Sequence, residues 1–100
     1  MNTLKINGKE HPFEVTARGR LNLEESKVNL NKVALMDNEA LRFAFQVCKG
    51  ACKHVETEFK FDFNAFVDKV EVDVFDKARA LALTLLPAVK EKTKPETVKK

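Results

Sequence analysis

Two cysteines four residues apart, Cys48 and Cys52, with His54 just beyond them, are the first residues of this 100-residue chain whose types and spacing suggest chemistry. A structural zinc site needs further nitrogen or sulfur ligands at matching spacing, and the only other histidine is His11, far away near the N-terminus. Both cysteines instead fall on one helical stripe with Leu41 and Phe45, which suits small core residues. A disulfide inside a single helical turn has poor geometry, and thiols on an apolar helix face are generally inert as nucleophiles. Gly8, Gly19 and Gly50 form no phosphate-cradling pattern. Ser26, the sole serine, has no nucleophile-elbow context. The acids between residues 56 and 76 do not follow the ligand order of an EF-hand. These residues predict no enzyme, no metal and no cofactor.

Aromatic chemistry is the second candidate. The stretch EFKFDFNAF holds Phe59, Phe61, Phe63 and Phe66, half of the eight phenylalanines. Interleaved with Lys60, they faintly echo the base-stacking strand of RNA-binding sheets. The glycine of that signature is missing, however, and Asp62 would repel phosphate. Residues 56–76 carry seven acids against Lys60 and Lys69, the most acidic part of the chain. The whole-chain excess of +3 sits in residues 90–100, where five lysines face two glutamates, and the remaining 89 residues balance 13 basic against 13 acidic side chains. A duplex-binding face concentrates cations on the folded body, so nucleic acid is disfavoured as a partner. The four phenylalanines read better as an extended lead-in followed by a helix capped by Asp62, each contributing about 1.5–3 kcal/mol if buried.

The elements that must hold these residues follow from punctuation and periodicity. TLKI and KEHPFEV flank Asn7-Gly8, a strong hairpin signal because a type I′ turn needs positive φ at both central positions. Leu4 and Ile6 share one face, as do Phe13 and Val15, and Pro12 marks the return strand as an edge or as one that carries an irregularity. Helices are predicted at about 17–25, 38–54, 62–70 and 74–90, with 26–36 mostly loop. Asp37 or Asn38 is the expected cap of the second of these helices, and Asp73 of the last. The helix at 38–54 and its exit carry two adjacent apolar stripes, one through Leu41, Ala44, Phe45, Cys48, Cys52 and Val55, the other through Ala40, Phe43, Val47 and Ala51. Pro87 should kink or end the last helix. The expected fold is α+β, mainly α: an N-terminal β-hairpin packed on a three- to four-helix bundle, one domain over 1–92, with 93–100 a disordered basic tail. The longest apolar run, residues 80–89, falls short of the ~20 residues a membrane helix needs. The charged N-terminus does not resemble a signal peptide, so a cytoplasmic location is expected, where both thiols stay reduced.

The succession LKINGKEHPFEV, ARGRLNLEES, MDNEALRFAFQVCKGA and EFKFDFNAFVDKVEVDVFDKA, followed by a terminal helix, resembles the small tail assembly chaperones of long-tailed phages and prophages over roughly residues 3–90. The likeness lies in pattern: a hairpin around Asn-Gly-Lys, a leucine- and alanine-bearing helix, and a phenylalanine-rich helix start. It implies a non-enzymatic protein that binds the long apolar tape measure protein, and with it tail tube subunits, and keeps it soluble during tail assembly. It also implies a bacterial host cytoplasm, admits a homo-oligomer, and suggests a longer frameshifted product for which Lys99-Lys100 would suit the slippery site. On that reading Leu41, Phe45, Phe59, Phe66, Leu81 and Leu85, with Cys48, are core or partner-binding groove. The competing readings are a small cytoplasmic interaction adaptor and a nucleic-acid binder acting through the lysine tail.

Overall fold

The structure, a computed structural model, describes residues 3–85. It is α+β and mainly α, as the hairpin signal and the helical periodicities predict. The chain runs β1 (Thr3–Ile6), β2 (Lys9–Pro12), α1 (Ala17–Glu25), α2 (Leu30–Val33), α3 (Asp37–His54), α4 (Phe63–Lys69) and α5 (Val74–Leu85). The expected continuation of α5 to residue 90, the effect of Pro87 and the basic tail lie outside the described residues.

β1 and β2 pair antiparallel, Leu4 opposite His11 and Ile6 opposite Lys9. Asn7 and Gly8 both adopt positive φ, +57° and +78°, as the two-residue turn requires. The return strand stops at Pro12, three residues earlier than its apolar pattern suggests, because proline offers no N–H to a ladder. β1 is bordered on its other side by the α4–α5 connection. Asn7 N–H donates to Lys69 C=O (2.8 Å), Glu71 N–H donates to Lys5 C=O (3.1 Å), and Ile6 bridges Val70. These two hydrogen bonds and the single bridge pin the hairpin to the last third of the chain.

α1 starts at Thr16, whose hydroxyl accepts from Gly19 N–H at 3.0 Å. It ends in a Schellman arrangement. Val28 N–H reaches Leu23 C=O and Lys27 N–H reaches Glu24 C=O, with Lys27 at φ +58°. α3 ends identically: Thr57 N–H to Cys52 C=O, Glu56 N–H to Lys53 C=O, and Glu56 at φ +60°. Neither end uses glycine, the usual residue there.

One expectation gains a detail and one is corrected. The segment 26–36 is mostly loop, as expected, interrupted by a single helical turn. Asn29 Oδ1 accepts from Asn31 N–H at 2.9 Å and starts the single turn of α2, which buries Val33 completely. Neither Asp37 nor Asn38 caps α3. Met36 occupies the cap position without a side-chain bond, and Asp37 Oδ1 instead accepts from Arg79 of α5 at 2.9 Å. The Arg79 Nε–H also donates to Val33 C=O at 3.0 Å, so one guanidinium closes α2 and holds the start of α3. Asp62 does cap α4, its Oδ1 accepting from Ala65 N–H at 2.8 Å.

The core is one cluster from Leu4 and Ile6 to Val74, Ala78 and Ala82, with α3 at its centre. The second α3 stripe is wholly buried, through Ala40, Phe43, Val47 and Ala51, and so is the middle of the first, through Ala44, Phe45, Cys48 and Cys52. The two ends of the first differ from expectation: Leu41 is half-buried, and Val55, past the last turn of α3, is exposed. α1 crosses α3 at Gly19 and Gly50. A Cβ built on Gly50 would lie 2.5 Å from Gly19 Cα and N, closer than packing permits. Glu39 is the buried polar link of this layer. Its carboxylate accepts from Asn29 N–H (2.7 Å) and pairs with Arg42 (3.2 Å), whose other nitrogen donates to Ser26 C=O.

Candidate functional site

The phenylalanine stretch and α3 meet in an aromatic cluster built around Phe45. Its ring centroid lies 5.7 Å from that of Phe59, 5.6 Å from Phe63 and 5.5 Å from Phe66. Most of these pairs are edge-to-face or tilted, the arrangement the ring quadrupoles favour. His11 extends the cluster, 5.8 Å from Phe61 and 6.5 Å from Phe59. Its Nδ1 lies 2.9 Å from Lys9 C=O, which assigns the proton to Nδ1 and ties the ring to its own strand. Asp62 divides the stretch as its cap function demands: Phe59 and Phe61 lie in chain without regular secondary structure, Phe63 and Phe66 in α4.

The candidate partner-binding residues separate by burial. Phe66 is 0% exposed and Phe45 7%, so both are core. Leu41, Phe59, Leu81 and Leu85 are half-buried at the edge of the core. Leu81 borders a groove of about 250 Å³ between α5 and Phe13, with Ala80 and Thr84 beside it. Leu85 borders another, of about 170 Å³, with Leu23, Val28 and Leu30. Leu83, between them in sequence, is 55% exposed. The last turns of described α5 therefore present apolar side chains toward two grooves and toward solvent.

Cys48 and Cys52 are both free and fully buried. The neighbouring Cys52 thiol first, and burial second, push Cys48 well above the usual thiol range, while the hydrogen bond from Cys48 holds Cys52 down. Among the described residues no three His, Cys, Asp or Glu side chains converge as metal ligands would. No helix among them is long and apolar enough to cross a membrane.

One further concavity was not legible as a unit in the sequence. Between α1 and α3 lies an open concavity of about 510 Å³ lined by Arg18, Asn22, Lys49, Lys53, Thr57 and Phe59. Its cations come from two helices some thirty residues apart, so whole-chain charge counting dilutes them. The one local signal is the pair Lys49/Lys53 at i, i+4, which places two like charges on one helix face. Comparison of the chain with protein-family models, with curated proteins and with solved structures gives no match.

Proposed function

We propose that this protein is a non-enzymatic tail assembly chaperone of a phage or prophage, acting in the bacterial cytoplasm. On this reading it binds the tape measure protein, and with it tail tube subunits, and keeps that long apolar chain soluble. The resemblance of the hairpin, the central helix and the phenylalanine-rich segment supports the family. The observation that carries the activity is the apolar end of α5, where Leu81 and Leu85 border separate grooves and Leu83 faces solvent. A helix that is apolar on several faces calls for cover, and an amphipathic client helix laid along a groove supplies it. Phe45 and Phe66, already enclosed, serve by holding the scaffold; Leu81 and Leu85 would make the client contacts, with Leu41 and Phe59 flanking.

The test is co-expression with the protein encoded by the long reading frame next to its gene, where a tape measure gene should lie. The client should gain solubility and co-purify, and Leu83→Ser, at an exposed position, should weaken the complex without unfolding the chaperone. Unchanged client solubility with no co-purification would count against the proposal. A gene neighbourhood without tail tube and tape measure genes would favour the adaptor reading.

A further inference from the structure

Arg18, Lys49 and Lys53 surround the α1–α3 cavity, and among the described residues none of them forms an ion pair. The sequence explains why. Four residues beyond Arg18 stands Asn22, and four beyond Lys49 stands Lys53, so neither helix supplies the acid that i, i+4 pairing would need. Lys49 leans over the Phe45 ring instead, 5.7 Å from its centroid, a contact that leaves its charge uncompensated. Like charges at i, i+4 repel, and a polyanion seated between them relieves that repulsion. The remaining lining is chemically mixed. Asn22 and Thr57 offer neutral hydrogen-bonding groups, and half-buried Phe59 contributes an aromatic ring backed by Phe45 and Phe61. The concavity, of about 510 Å³, is open to solvent and has room for a small molecule along one wall.

We propose that this cavity binds a nucleoside polyphosphate, with Arg18, Lys49 and Lys53 converging on the phosphates and Phe59 taking the base. Arginine offers a planar fork for phosphate oxygens, and the lysines act as mobile point charges that can follow a flexible phosphate chain. An aromatic ring stacks on any base, so the site discriminates by charge and size more than by base identity. Asn22 and Thr57 then hydrogen-bond the sugar or the phosphate ester. This site is distinct from the α5 grooves and stands or falls independently of the chaperone proposal.

The experiment is a titration of the full chain with ATP at low and at physiological salt, followed by amide chemical shifts and by calorimetry, with triphosphate and adenosine titrated separately. Shifts should concentrate at Arg18, Asn22, Lys49, Lys53 and Thr57. Triphosphate should bind more weakly than ATP, and adenosine more weakly still. Arg18→Gln and Lys53→Gln, both at exposed positions, should each weaken ATP about tenfold or more, the loss expected for one charge-assisted contact. Lys99→Gln/Lys100→Gln, in the basic C-terminal segment, should leave affinity unchanged. Equal binding of ATP and triphosphate would overturn the assignment of Phe59 to the base. No ATP binding, shifts away from the cavity, or loss of affinity only in the C-terminal variant would overturn the site itself. Capture of an acidic peptide at the cavity in preference to ATP would reassign it as a protein-docking surface.

Discussion

Gly50 and Glu56, six residues apart on α3 and its exit, should respond to substitution in opposite directions. Gly50 has no room for a side chain, because an added Cβ would meet the Gly19 backbone at 2.5 Å and backbone cannot step aside as a flexible side chain can. Gly50→Ala should therefore lower stability by about 1–3 kcal/mol, read as a lower urea midpoint, despite alanine's better helix propensity. Across the same contact, a Cβ on Gly19 meets Thr16 Oγ1 at 3.3 Å and Val47 Cα at 3.7 Å, so Gly19→Ala should stay far closer to the parent protein. Glu56 holds φ at +60° to close α3. Glu56→Gly removes that left-handed penalty and should raise the urea midpoint by an amount equivalent to about 1 kcal/mol. At Glu39 the stakes are polar. Glu39→Ala strips the acceptor from Asn29 N–H and the partner from Arg42, and should cost about 1.5–3 kcal/mol.

At the scale of elements, Phe45 is the part of α3 that holds α4 and its lead-in, because three phenylalanine rings meet it. Phe45→Ala should cost about 3–5 kcal/mol, whereas half-buried Phe63, whose ring meets Phe45 alone among the aromatics, should cost less. Comparing thermal unfolding of the two variants checks the order. Much of this layout was legible beforehand. Asn7-Gly8 announced its turn, Asp62 its cap, and three-four spacing the bounds of α1 and α3, since each signal is local. What escaped was decided by distant residues. Arg79 takes Asp37 away from capping α3 and fastens the turn of α2, and nothing within 26–38 advertises a partner from α5. Nothing local to Gly19 announces its close approach to α3, because the Gly50 backbone that presses on it is thirty-one residues away. The partner-binding set divided for the same reason: spacing places Phe66 and Leu81 alike on apolar stripes, and only the packing of neighbouring elements buries the first and leaves the second at an edge.

For the whole molecule, the central position of α3 makes its two thiols reporters of global opening. Cys48 and Cys52 sit at 0% exposure among residues of the central core, so a water-soluble thiol reagent should modify both together, at the rate of whole-domain opening, and quickly only in denaturant. Immediate reaction of either thiol in the native protein would show that α3 opens locally. The bridge from Val70 to β1 has a different consequence, for the order in which the chain is made. β1 receives its second neighbour from residues 69–71, and Thr3 C=O accepts from Lys77 Nζ across 74 residues of sequence. During synthesis at about 5–20 residues per second, the hairpin waits several seconds for that neighbour. Until then it is a two-strand ribbon, marginal in water and open along the β1 edge. A chain released after α3 would carry that bare edge permanently, so interrupted translation should yield an aggregating fragment, not a smaller stable domain.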